Sequence, residues 1–148
     1  MPRALATLAW LGGVCVSLPA FAADGPTGLW LTEDGRGVIS VDTCGDALCG
    51  RIVGMQHNRN ADGTVPVDWQ GRPKCGETIF SDMRQTEPGL WRGHITNPDD
   101  GKDWSAQIRM DDQGRLLLRG YVLIPALGQT QTWPRYNGSR PSQDCAIQ

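Results

Sequence analysis

The chain lacks an excess of charge of either sign, and this limits the partners that it is expected to have. Lysine and arginine number 14 against 16 for aspartate and glutamate, so the formal net charge is −2. A protein that binds DNA or RNA through the phosphate backbone concentrates basic residues on its surface. Nucleic acid is therefore not expected among the partners.

The chain also lacks a sustained apolar stripe at the helical period, internal repeats and low-complexity segments. It has instead 19 glycines and 10 prolines in 148 residues. Turn signals such as Asp34-Gly35 and Pro88-Gly89 recur at short intervals along it. The composition predicts one loop-rich, all-β domain with minimal helix.

Short runs of strand-like composition lie between the turn signals. Over residues 103–111, Trp104, Ala106, Ile108 and Met110 alternate strictly with polar residues, as in a half-buried strand. The patterns predict eight strands, near 28–33, 37–43, 49–55, 77–83, 89–96, 103–110, 115–122 and 129–136. We expect a small antiparallel up-and-down barrel, because closing the sheet removes its two exposed edges. A β-sandwich is the alternative architecture.

Only one stretch is apolar over a long run, and it stands at the start of the sequence. Ala4–Leu18 has 15 residues, whereas a bilayer span needs about 20. One basic residue precedes it, and the small residues Ala20 and Ala22 follow it, as in a secretory signal peptide. We expect cleavage after Ala22, with Ala23 as the next choice. A periplasmic or secreted protein without a transmembrane segment is the resulting prediction.

The predicted organisation is a signal peptide over 1–22 and one domain over 23–148. The barrel core is expected in 28–136, and the tail in 137–148. One long polar loop is predicted over 56–74. Because a closed barrel leaves no free sheet edge and the tail is tied down by a cysteine, a monomer is expected.

The cysteines agree with export. Cys15 belongs to the predicted signal peptide, and four others remain: Cys44, Cys49, Cys75 and Cys145. An even set in an oxidising compartment indicates two disulfides, with three possible pairings. Cys44 and Cys49 flank Gly-Asp-Ala-Leu, a hairpin-turn sequence, and pairing them leaves Cys75 for Cys145. The alternatives are a redox dithiol, which usually has the spacing C-x-x-C, and a zinc site, which needs reduced thiolates.

Residues suited to catalysis or metal binding are few. There are two histidines, His57 and His94, both interpreted as surface residues, and none of the known nucleophile motifs is present. Residues 58–63 match the opening of a calcium-binding loop, but Trp69 stands where the closing glutamate belongs. The acidic run 99–103 is interpreted as a hairpin turn. No catalytic residue, cofactor or metal is predicted.

Four stretches are distinctive as an ordered set. They are GLWLTEDGRGVISV at 28–41, CGDALCGRIV at 44–53, NPDDGKDWSA at 97–106, and RGYV at 119–122 with TQTWPR at 130–135. Together they resemble the bacterial family called "domain of unknown function 2147", exported proteins with a lipocalin-like (calycin) β-barrel. The resemblance covers 28–136. It implies a lipocalin-like barrel and export, and it implies no reaction, because no activity is established for the family.

The resemblance also implies a structural role for Gly28, Trp30 and Arg135. In lipocalin-like barrels an arginine near the last strand packs on a tryptophan of the first strand and closes one end. A guanidinium over an indole contributes about 0.5–2 kcal/mol. Of the other tryptophans, Trp104 on the inward face and Trp69 in the long loop are the candidates for a ligand cavity or its mouth.

Three hypotheses for function follow. The first is a non-enzymatic binding barrel for an apolar or amphipathic small molecule, which rests on analogy of fold. The second is an envelope interaction module with a filled barrel that binds a protein or the cell wall through its loops. The third is an enzyme, either a thiol-redox enzyme using Cys44 and Cys49 or a hydrolase.

Overall fold

The protein is an eight-stranded antiparallel barrel, as the computed structural model shows for residues 25–147. The strands are β1 (Gly28–Leu31), β2 (Gly37–Cys44), β3 (Ala47–Met55), β4 (Thr78–Glu87), β5 (Leu90–Thr96), β6 (Asp103–Met110), β7 (Leu116–Tyr121) and β8 (Gln129–Trp133). Each strand pairs with the next one along the chain. The predicted signal peptide, 1–22, lies outside the described residues. Within 25–147 there is no helix long and apolar enough to cross a membrane.

All eight predicted strands are present, and the up-and-down order is confirmed. The pairing of β5 with β6 places Trp91 opposite Ile108 and Gly93 opposite Ala106. These side chains therefore belong to one inward row, as the alternation along β6 predicts. A three-residue 3-10 helix, Pro125–Leu127, lies between β7 and β8.

The barrel closes between β1 and the residues that follow β8. The backbone N–H of Leu31 donates to the carbonyl oxygen of Pro134 at 2.9 Å, and that of Tyr136 donates to Leu29 at 2.9 Å. Trp30 and Arg135 form the antiparallel bridge between these two hydrogen bonds. The first strand therefore has a partner on each side, and the barrel is nearly closed.

Because consecutive strands are antiparallel, alternate connections lie at the same end of the barrel. The loop end carries four connections, 32–36, 56–77, 97–102 and 122–128, among them the three longest of the barrel. The turn end carries the other three, 45–46, 88–89 and 111–115. The chain enters β1 at the turn end.

Side chains from every strand fill the interior. Trp30, Met83, Ile108 and Leu116 have no solvent exposure. The core cluster consists of Trp30, Ile39, Val41, Leu48, Ile52, Ile79, Phe80, Met83, Ala106, Ile108, Leu116, Leu118 and Trp133. An eight-stranded barrel is just wide enough for such side chains to fill it, so the packed interior is the main source of stability.

The C-terminal tail folds back over the outer wall of the barrel. The backbone N–H of Met55 donates to the carbonyl oxygen of Cys145 at 2.7 Å. At Gly54 an added Cβ would lie 2.9 Å from Pro141 Cγ, so only glycine allows the tail to pack this closely. Val38, on the outer face of β2, is completely buried beneath the tail.

Candidate functional site

The loop end of the barrel exposes large apolar side chains. In the described part of the chain, the large hydrophobic residues that remain exposed are Val65, Val67, Trp69, Trp104, Val122, Leu123, Ile124 and Leu127. Three of them belong to the long β3–β4 loop, four to the β7–β8 connection and one to the start of β6. All of these segments meet at the loop end. A concentration of apolar surface on one part of a protein is typical of ligand-binding grooves and of surfaces that contact other proteins or membranes.

The β7–β8 connection is held in a conformation that presents its apolar side chains to solvent. Arg119 Nε donates to the carbonyl oxygen of Pro125 at 2.6 Å, and Arg119 Nη1 donates to Thr130 Oγ1 at 2.7 Å. Leu123 has a φ of 71°, a conformation that is uncommon for leucine. Its side chain is 86% exposed. The connection is therefore fixed at its base by Arg119, and at Leu123 it combines an uncommon backbone conformation with an exposed apolar side chain.

The two tryptophans predicted for a cavity or its mouth both lie at the loop end. Trp104 occupies the inward row of β6, opposite Ile95, and is 37% exposed. Trp69 is 52% exposed, and its ring lies against Gly101, where an added Cβ would come within 2.5 Å of the ring. The backbone N–H of Trp69 also donates to Pro98 at 3.0 Å. The long loop therefore docks onto the β5–β6 turn and brings its tryptophan beside the barrel mouth.

A buried aspartate, Asp68, anchors this part of the long loop. The Asp68 side chain is fully buried and accepts hydrogen bonds from the backbone N–H groups of Gln70 and Arg72, each at 2.8 Å. Arg72 Nε donates to the same carboxylate at 2.8 Å. Burial acts to raise the pKa of Asp68, but the backbone and side-chain donors of Arg72 outweigh it and hold that pKa below its usual range. Asp68 is therefore an ionised structural anchor.

Glu77 lies next to Asp68 in a less favourable position. Burial and the neighbouring negative charge of Asp68 raise the pKa of Glu77. Glu77 Oε2 is buried without a hydrogen-bond partner, and Arg72 Nη2 is 3.7 Å from Oε1. The sequence alone does not predict this pair, because nothing in the composition of this region distinguishes these two acids from the exposed ones.

The residues predicted for barrel closure come together at the turn end. The Arg135 guanidinium lies over the Trp30 ring, with Cζ 4.3 Å from the ring centroid. It donates to the carbonyl oxygens of Thr27 and Gly25, both at 2.9 Å. Gly28 has a φ of 130°, and an added Cβ there would lie 2.5 Å from Arg135 Nη1. The group lies opposite the exposed apolar surface, and its contacts are those of a structural support.

Four cysteines lie in two pairs at disulfide distance. The Cα atoms of Cys44 and Cys49 are 5.9 Å apart across the β2–β3 turn, and those of Cys75 and Cys145 are 5.7 Å apart. The first pair lies at the turn end, and the second ties the tail to the residues just before β4. This geometry supports the pairing expected from the spacing.

The remaining candidate residues lie on the surface. His57 is exposed, and exposed His94 has its Nδ1 3.2 Å from Asp82 Oδ2. In the calcium-like segment, Asp62 Oδ1 accepts a hydrogen bond from the backbone N–H of Thr64 at 3.0 Å, which makes it part of a polar turn. Across 25–147 no group of three or more His, Cys, Asp or Glu side chains is placed to hold a metal ion.

Comparison with known proteins agrees with the barrel. Protein HP1028 from the human pathogen Helicobacter pylori, described as belonging to the lipocalin family, has a solved structure that matches with a TM-score of 0.60. The two chains are 17% identical, and the match covers 75% of this chain and 82% of the other. At this identity the likeness concerns the fold alone. No curated protein matches the sequence.

A family model matches nearly all of the barrel. Its description is "Uncharacterized protein conserved in bacteria (DUF2147)", and it matches residues 28–135. These limits run from the glycine that opens β1 to the arginine that packs on Trp30. Because the match spans well over half of the sequence, the chain belongs to the DUF2147 family of bacterial proteins, and its fold is a lipocalin-like barrel.

Proposed function

We propose that this protein is an exported, non-enzymatic binding module that holds an apolar or amphipathic small molecule at the loop end of its barrel. The observation that carries the proposal is the placement of exposed large apolar side chains, Leu123 and Trp69 among them, on the connections of that end. A hydrophobic ligand that covers such surface removes it from water and gains roughly 25 cal/mol per Å² of apolar area.

The ligand is proposed to sit at the mouth of the barrel and not deep inside it. The interior below the mouth is already filled by buried side chains, among them Trp30, Ile108 and Leu116. Trp104 is the inward-row tryptophan at the loop end, and its partial exposure leaves its ring available for contact. An amphipathic molecule would lay its apolar body against Trp104 and the 122–127 loop, with its polar group directed to solvent.

Export is part of the same proposal. The apolar run Ala4–Leu18 followed by small residues supports a signal peptide, and two cysteine pairs at disulfide distance fit an oxidising compartment. A periplasmic or secreted location would place the binding surface where free fatty acids and lipids are found in a bacterial envelope.

Tryptophan emission during titration with laurate tests the proposal. A matched pair of variants, Trp104→Phe and Trp91→Phe, separates the two ends of the barrel. Both residues lie in the inward rows of adjoining strands, but Trp91 follows the β4–β5 turn and packs against the core. We expect a saturable emission change that Trp104→Phe diminishes strongly and Trp91→Phe leaves in place.

A second variant tests the apolar loop without altering any tryptophan. Leu123→Ser with Leu127→Ser exchanges two side chains that are 86% and 73% exposed. Because neither is in the core, we expect unchanged thermal stability together with laurate affinity weakened at least about tenfold, the equivalent of ~1.4 kcal/mol. An emission change that is absent in the wild type, or that survives this double substitution, would contradict the proposal and favour the interaction module.

A further inference from the structure

A groove lies on the outer wall of the barrel, between the tail and strands β1–β3. It has a volume of about 280 Å³. Ser40 and Arg51, which pair directly across β2 and β3, form its floor, and Arg140, Ser142 and Gln143 of the tail form the opposite side. This groove is separate from the apolar surface at the loop end.

Two arginines that have no ion-pair partner within residues 25–147 line this groove. Both Arg51 and Arg140 are exposed. Among the residues described, no carboxylate oxygen lies within 4.0 Å of either guanidinium. By contrast, Arg36, Arg84 and Arg115 each have an aspartate partner. Two cations facing one groove repel each other, and an anion placed between them removes that cost.

The carboxylates near the groove are engaged elsewhere. The Ser40 hydroxyl donates to Asp42 at 2.7 Å, and the Ser142 hydroxyl donates to Asp144 at 2.6 Å. Asp144 also accepts from Asn58 Nδ2 at 3.1 Å. Neither aspartate lines the groove, and its two charged lining residues are Arg51 and Arg140.

The wall of the groove is fixed in place. Cys75 and Cys145, which pair at disulfide distance, both line it. The backbone hydrogen bond from Met55 to Cys145 holds the tail beside β3. These links fix the backbone of the tail, which carries Arg140, beside β3, which carries Arg51, so little backbone order has to be gained on binding.

We propose that this groove binds a small oxyanion-bearing molecule, a phosphate or a carboxylate, between Arg51 and Arg140. The planar guanidinium presents paired N–H donors that match the oxygens of both anions. The groove is large enough for a small metabolite and too small for a polymer to enter. The proposal does not depend on the apolar ligand at the loop end.

Titration of the intact protein with inorganic pyrophosphate, and separately with succinate, tests the proposal. The readout is the NMR signal of each arginine Nε–H, recorded at constant ionic strength so that general screening does not change. We expect saturable shifts of the Arg51 and Arg140 signals below about 10 mM of the better probe. The probe that binds more tightly distinguishes phosphate from carboxylate recognition.

Three variants that each remove one positive charge locate the site. Arg51→Gln and Arg140→Gln should each weaken binding at least about tenfold, because each removes a charge-assisted hydrogen-bonding pair. Arg109→Gln is the control, since Arg109 is exposed on the outer face of β6, outside the groove, and it should leave binding unchanged. Failure of both probes to saturate the wild-type signals, or an equal loss in the Arg109 variant, would overturn the proposal.

Discussion

At the scale of single residues, the most informative contrast is between buried Asp68 and its partly buried neighbour Glu77. Asp68 has three N–H donors directed at its carboxylate, whereas Glu77 Oε2 has none. The more deeply buried Asp68 is therefore the ionised anchor, and the partly buried Glu77 is the carboxyl with a raised pKa. Hydrogen-bond donors, and not burial alone, decide the charge of each group.

Glu77→Gln should stabilise the protein at neutral pH, by about 1 kcal/mol, because its amide can donate to Asp68 where a carboxylate cannot. Because the pKa of Glu77 is raised on folding, the free energy of unfolding falls as the pH rises from the unfolded to the folded pKa. The full loss is present above the folded pKa. The gain from the substitution should therefore be present at pH 7 and disappear below the ordinary value of 4.5. Urea unfolding at the two pH values measures this difference.

Glu87→Gln is the matched control, because Glu87 is exposed and only 3.6 Å from exposed Arg92. Surface pairs of this kind contribute little, so its unfolding free energy should hardly change. If Glu77→Gln destabilised the protein at pH 7, the assignment of a destabilised carboxylate with one oxygen lacking a hydrogen-bond partner would be wrong.

Arg135→Lys should lower the unfolding free energy although it keeps the positive charge. Lysine cannot stack flat on Trp30 while donating to Thr27 and Gly25 at the same time. We expect a loss of about 1–2 kcal/mol in urea unfolding. Arg92→Lys, on the exposed face of β5, provides the comparison, and equal effects of the two substitutions would argue against a closing role for Arg135.

At the scale of elements, the two disulfides should contribute unequally to stability. Cys44 and Cys49 are 5 residues apart, and Cys75 and Cys145 are 70 apart. Closing a longer loop removes more entropy from the unfolded chain, which gives about 2 kcal/mol for the first bond and about 4 for the second. Replacing each pair by serine and comparing urea unfolding measures the order, and a larger loss from the hairpin pair would contradict it.

The strands could be predicted from sequence wherever one face is apolar and the other polar. The run 103–110 is an example, since its alternation matches the strand that forms there. Strand β4 was predicted to end at 83 but continues to Glu87, because the polar residues Arg84 and Gln85 pair with β5 through their backbones. Side-chain composition does not report such pairing.

The candidate site was only partly predictable. Trp69 and Trp104 were identified from residue type and strand parity, and the alternation of connections puts both at one end. The apolar segment 122–127 was overlooked, because an apolar run is normally interpreted as core. Its exposure depends on the hydrogen bonds from Arg119, which link residues that the sequence gives no reason to connect.

At the scale of the whole molecule, the two ends of the barrel differ in character. The turn end has short connections, the Cys44–Cys49 pair and the Trp30–Arg135 contact. The loop end has the long connections and the exposed apolar side chains. The contacts that close the barrel and the proposed apolar binding surface thus lie at opposite ends of one small domain, which would allow the loops to vary without disturbing closure of the barrel.

Native mass spectrometry of the protein, recovered from a bacterial envelope without denaturation, tests the binding function most directly. A second sample is first incubated with laurate. The proposed function predicts a discrete additional mass on the folded protein, which is lost on denaturation and is reduced by Leu123→Ser with Leu127→Ser. A bare protein mass in both samples would contradict it.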